Sequence, residues 1–187
     1  MGETMETHEH AEEAARGGRQ HTALLIAVLA AGLAFCEQGA QHANTRMSEA
    51  SVAAADLWAE YQAKSTRANE TRDLAQIAAL LPSAKPEDAA AIQARFKADL
   101  ARFENDPKTG KAAVAEQARA QEHSRDAAHE KLEAFDNAAA ALQLGIVLTT
   151  ASVITGSVLL VWGGALLGVF GGVLGLLGVW APQLALF

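Results

Sequence analysis

The apolar positions of this chain gather in blocks. After Asp136 no charged residue occurs through to Phe187, and from Ala138 to Trp180 nearly every position is apolar or small. A helix needs ~20 such residues to cross a ~30 Å hydrocarbon core, so this block has the length of two bilayer crossings. They are placed at 138–156 and 158–180, with the turn at Gly156-Ser157, Trp162 and Trp180 near opposite interfaces, and Pro182 as the stop. A third apolar block, 22–36, reaches spanning length as a helix over 22–40 once Gln20, His21 and residues 37–40 sit at the interfaces, where polar tips snorkel. It is expected to be a retained anchor. The segment before it is acidic, and a bulky Phe35 precedes Cys36, both unlike a cleaved signal peptide.

Between these blocks the pattern is charged and helical. Residues 41–137 are rich in Ala, Glu, Gln, Lys, Arg and Leu, which favour helix. Pro82–Pro86 and 105–110 are the breakers, so the expected helices are 41–81, 86–105 and 110–137. The first carries a heptad-like face of Met47, Ser51, Ala54, Trp58, Tyr61, Ser65 and Ala68, small enough for a close partner, with two bulky anchors. The second opens on Pro86-Glu87-Asp88 and shows a stripe of Ile92, Phe96, Leu100 and Phe103. The third shows Val114, Ala118, Gln121, Arg125, Ala128, Leu132, Phe135, Ala139 and Leu142, a register that runs unbroken into the apolar block. At ~1.5 Å per residue the stretch of the first helix outside the membrane, Glu37–Leu81, is roughly 66 Å long, and the other two helices, roughly 27 and 40 Å, sum to about that. The fold class expected is therefore all-α. One N-terminal span leads to a long antiparallel helical hairpin or coiled coil outside the membrane, and a C-terminal two-span hairpin follows. A short three-helix bundle is the alternative for the middle.

The glycines give the most regular signal. Gly164, Gly168, Gly171, Gly175 and Gly178 follow steps of four, three, four, three, which places all five on one helical stripe. Glycine inside a helix costs up to ~1 kcal/mol relative to Ala, so such a stripe needs a compensating close approach. A matching face is expected on the preceding span from Gln143, Thr150 and Ser157, spaced by seven residues, with a second copy's stripe as the alternative partner.

Charge removes several function classes. The formal charge is −7, with no basic face for nucleic acid. Residues 1–21 are expected to be a mobile acidic tail. His8 and His10 within it, and His123 and His129 six residues apart, lack the ligand number and geometry of a metal site. Cys36 is the only cysteine and forms no internal disulfide. Tyr61 and Lys64 share a helix face, but no cofactor-binding pattern accompanies them. No catalytic residue, cofactor or metal is expected. Arg16 and Arg19 before the first span tilt the N-terminus to the cytoplasmic side.

The run Trp58, Tyr61, Gln62, Ala63, Lys64, Ser65, together with Asp136, Ala138, Ala140, Leu142, Gln143, Ile146, Val147 and Leu148, resembles a bacterial membrane protein family known as domain of unknown function 4337. Its members combine a short N-terminal span, a charged helical middle with a W-x-x-Y-Q-A-K-S signature, and a D-x-A-x-A-x-L-Q-x-x-I-V-L lead into a C-terminal hairpin. Basic residues often sit between the last two spans of that family, where this chain has Thr155-Gly156-Ser157. The resemblance implies a membrane location and no activity. The expected function is a non-enzymatic integral membrane protein of the inner membrane, with three spans, whose helical hairpin serves self-association or partner binding. The alternatives are a small channel or mechanosensitive-type component using the glycine stripe, and an accessory subunit of a larger membrane complex. The expected partners are the lipid bilayer and a second copy or another membrane protein.

Overall fold

The structure, a computed structural model, describes residues 3–80 and 86–182, with side-chain surroundings from 20 to 80 and from 87 to 182. Four helices follow one another: α1 (Glu3–Leu80), α2 (Pro86–Asn105), α3 (Lys111–Thr155) and α4 (Val158–Trp180), with no strand among the described residues. Three helices, α1, α3 and α4, contain stretches long and apolar enough to cross a membrane.

One expected boundary is absent: the N-terminal span and the first charged helix are one element, α1. The third helix and the following span are also one element, α3, as the unbroken register of its stripe implies. The reason is backbone chemistry: only proline both removes a ladder donor and collides with the preceding turn, and neither helix contains one. The glycines of α1 weaken the helix without stopping it. The acidic stretch expected to be a tail is helical from Glu3. The expected loop at Pro82–Pro86 lies almost wholly outside the described residues.

The chain divides into two compact units, Met1–Thr45 with Ala127–Phe187, and Arg46–Asp126. In the first, α3 runs antiparallel to α1, with Leu142 opposite Gly32 and Phe135 opposite Gly39. It also runs antiparallel to α4, with Gly145 opposite Gly164 and Ala138 opposite Gly171. Consequently α4 lies parallel to α1, where Leu29 meets Gly168 and Cys36 meets Gly175. The α3–α4 turn is made by Gly156, whose φ of 67° is left-handed and whose N–H donates to the Ser152 carbonyl at 2.8 Å. Leu29, Cys36, Ala134, Phe135, Ala138, Ala139, Leu142 and Leu174 form the buried cluster.

In the second unit α2 and the first part of α3 return along α1. Gln93 donates to the Ala75 carbonyl at 3.0 Å, Arg72 pairs with Glu104 at 2.7 Å, and Trp58 donates to Glu122 at 3.0 Å. The α2–α3 break is held by Asp106, whose Oδ1 accepts from the backbone N–H of Lys108 and Thr109 at 2.9 and 2.7 Å. These donors hold the Asp106 carboxyl below the usual carboxylate range. Gly110 closes the break, because a Cβ there would stand 2.5 Å from the Asp106 carbonyl oxygen. The α3 stripe expected from sequence is buried or half-buried at every position, as is the α1 face from Met47 to Ala68. The α2 stripe is looser: Ile92 is exposed, and Phe96, Leu100 and Phe103 are half-buried.

Phe135 is the one large ring in the first unit's buried cluster. It fills a hole floored by Gly39 and Gly178 and packs edge-on to Phe35 at 6.4 Å between centroids. Phe135→Ala empties that hole. Thermal unfolding in detergent is expected to show a loss of about 3–5 kcal/mol, and a loss below about 1 kcal/mol would contradict this packing.

Candidate functional site

The glycine stripe of α4 faces protein, and it divides between two neighbours. Gly164, Gly171 and Gly178 meet α3, through Gly145 and Thr149, through Ala138 and Leu142, and through Ala134 and Phe135. Gly168 and Gly175 meet α1, through Leu29 and Cys36. The four-three spacing is thus two interleaved seven-residue rows on a helix that contacts two others. The closest approach is at Gly145 and Gly164. A Cβ on Gly145 would stand 2.9 Å from the Gly164 carbonyl oxygen, and one on Gly164 would stand 2.7 Å from that of Gly145. The fully buried Thr149 hydroxyl donates to the same Gly145 carbonyl at 2.7 Å, so no polar atom is stranded at the crossing.

The face of α3 that receives α4 differs from the one expected. Gln143 and Thr150 are exposed and Ser157 is half-buried beyond the helix end, capping α4 with no side-chain hydrogen bond. The buried face is instead Ala134, Ala138, Ala141, Gly145, Thr149 and Ser152. Close packing in an apolar setting selects small volume rather than polarity, and polarity was the wrong guide here. The same four-or-three spacing of small residues that marks α4 is present in this α3 series and identifies it.

In the second unit the signature residues make a polar-edged aromatic contact. The rings of Trp58 and Tyr61 stand edge-to-face at 5.6 Å, and Lys111 Nζ lies 5.4 Å from the Tyr61 centroid. Trp58 is half-buried and its indole N–H donates to Glu122. Lys64 pairs with Glu60 one turn back on α1 at 3.1 Å. Gln62 and Ala63 are exposed, and Ser65 is half-buried. A cleft of about 440 Å³ beside Tyr61 is lined by Glu104, Lys111, Ala112, Ala115 and Arg119. It carries no nucleophile with an activating base. His123 and His129 are exposed, and His129 sits 3.3 Å from Glu133. Among the described residues no three His, Cys, Asp or Glu side chains gather as a metal site.

Comparison with known proteins gives one match. The family described as Domain of unknown function (DUF4337) matches over residues 19–181, which takes in all the apolar blocks and the helices between them. No curated protein and no solved structure matches.

Two substitution pairs test this geometry. A Cβ at Gly171 would lie 2.9 Å from the Ala138 carbonyl oxygen, whereas one at the adjacent Gly172 would meet nothing within 4 Å. Gly171→Leu is expected to lower the melting temperature in detergent, while Gly172→Ala holds or raises it, because helix propensity favours Ala over Gly by up to ~1 kcal/mol of stability. Equal responses would contradict the seam. For the aromatic contact, a double-mutant cycle of Trp58→Phe with Glu122→Ala should return a coupling of about 1 kcal/mol, the worth of a half-exposed hydrogen bond. A coupling near zero would show that the bond does not persist in solution.

Proposed function

The chain belongs to the DUF4337 family, and we propose that it is a non-enzymatic integral membrane protein with three spans whose extramembrane helical hairpin serves self-association or partner binding. One observation carries the membrane reading. Outside the buried cluster of Leu29, Phe135, Leu142 and Leu174, the first unit turns many large apolar side chains outward and packs small residues inward: Leu24, Val28, Phe35, Leu144, Val147, Leu166 and Val169 are each at least half exposed, while Ala134, Ala138, Gly164 and Gly171 are buried. A water-soluble bundle would reverse that arrangement, because burial of large apolar side chains drives its folding. In lipid, outward Leu and Val are solvated by acyl chains and inward small residues allow close packing. The spans are assigned to 22–40, to α3 from Ala138 onward and to α4, in an inner membrane.

The interaction reading rests on the second unit. Leu74, Ile77 and Leu80 of α1, and Ile92 of α2, leave apolar side chains uncovered outside the proposed spans. Surface of this kind, rimmed by charges, suits a protein partner. The channel alternative draws no support from the interior of a single chain. Its buried polar side chains among the described residues, Thr149 and Ser152, donate to carbonyls of their own helix.

With the N-terminus cytoplasmic, as Arg16 and Arg19 favour, the unit 46–126 lies on the far side of the membrane. Thr109 is exposed at the α2–α3 break and serves as the reporter. Thr109→Cys is expected to react with a membrane-impermeant thiol reagent in intact cells. Reaction only after lysis would reverse the topology. Release of the chain from membranes by alkaline carbonate would contradict the spans themselves.

A further inference from the structure

The exposed face of α3 within its proposed span is not uniformly apolar. Ala140, Gln143, Val147, Thr150 and Ile154 lie along it at steps of three, four, three, four, all exposed, with Val147 and Ile154 at 62% and 84%. That is a heptad seam: Ala, Val and Ile at one core position, Gln and Thr at the other. It lies opposite the small-residue face that packs on α4. The Thr150 hydroxyl is already spent, donating to the Ile146 carbonyl at 2.7 Å. The Gln143 carboxamide has no hydrogen-bond partner among the described residues. It stands five residues inside the proposed span, roughly 8 Å along the helix from Ala138, and twelve residues, roughly 18 Å, before Thr155. Acyl chains offer it neither a donor nor an acceptor.

Resting on the membrane reading above, we infer that this face of α3 is the interface with a second copy of the chain, joined through Gln143. A carboxamide carries both an N–H donor and a carbonyl acceptor, so it is complementary to itself. Copies of one chain insert with one topology, and a two-fold axis along the membrane normal brings identical residues together at identical depth. Gln143 therefore meets Gln143, with Ala140 allowing close approach on one side and Val147 interlocking on the other. An unrelated partner would need a polar group at the same depth by coincidence. Asp136, next along the same face toward the charged end, would set like charges together, so the contact is confined to Ala140 and beyond.

Val147→Cys, in the otherwise native full chain, reads this contact by oxidative disulfide cross-linking in isolated membranes. The native Cys36 is buried at 2% exposure and gives the background without an added thiol. Leu166→Cys, 68% exposed on α4, is the off-face control. Val147→Cys is expected to yield a covalent dimer and Leu166→Cys not. Adding Gln143→Leu to Val147→Cys should lower the dimer fraction severalfold, and Gln143→Asn, which keeps the carboxamide, should largely restore it. Three outcomes would overturn the pairing alone, with the chain still retained after carbonate washing: no dimer from Val147→Cys, a dimer fraction unchanged by Gln143→Leu, or cross-links to a different protein. Release by carbonate would overturn the membrane reading and the pairing with it.

Discussion

The contact on which the first unit depends is the close approach of two helix backbones at Gly145 of α3 and Gly164 of α4. Neither residue could carry a Cβ without bringing it to within 2.9 Å of the other's carbonyl oxygen. In water such a crossing would be a weak basis for a fold, since it buries little apolar area. In lipid no hydrophobic drive distinguishes a neighbouring helix from an acyl chain, and dispersion contacts at short range decide association. The remainder of the glycine stripe follows from this crossing. Once α3 and α4 are set antiparallel at that distance, Gly171 and Gly178 are carried past Ala138 and Ala134, and the intervening Gly168 and Gly175 are turned toward α1.

The same division explains why one helix needs two interleaved rows of small residues. A two-helix hairpin would use one row of the seven-residue repeat and leave the other free to hold Leu or Val, as Leu166, Val169 and Val173 do on the exposed side. A three-helix arrangement uses both. Thr149 and Ser152 fit the interior for the same reason: each is small, and each returns its hydroxyl proton to a carbonyl of its own helix, so burial strands no polar atom.

Much of this organisation was legible from periodicity. The helical nature of the middle, the break at 105–110, and the buried stripes of α1 and α3 are direct consequences of proline chemistry and heptad spacing. Two features were not. Helix continuity from the acidic N-terminus to Leu80 was hidden because a change in composition looks like a boundary, whereas the backbone ladder responds only to residues that break it. The α3 packing face was misread because Gln143, Thr150 and Ser157 stand out by polarity, while Ala138, Ala141 and Gly145 are inconspicuous in an alanine-rich stretch. Polar residues in an apolar span mark places needing a partner, and Gln143 has none within the described chain. The heptad-like face placed the Trp58 anchor correctly in α1, but the partner of its indole N–H, Glu122, depends on side-chain reach that spacing alone does not fix.

The central claim is that α3 and α4 touch backbone to backbone in a bilayer. Solid-state NMR on the full chain in lipid vesicles, with carbon-13 glycine labelling, measures it without substitution. A through-space correlation between the Gly145 α-carbon and the Gly164 carbonyl carbon is the expected result, together with none from Gly172 to any glycine of α3. Absence of the Gly145–Gly164 correlation in a sample whose helices are otherwise ordered would contradict the account.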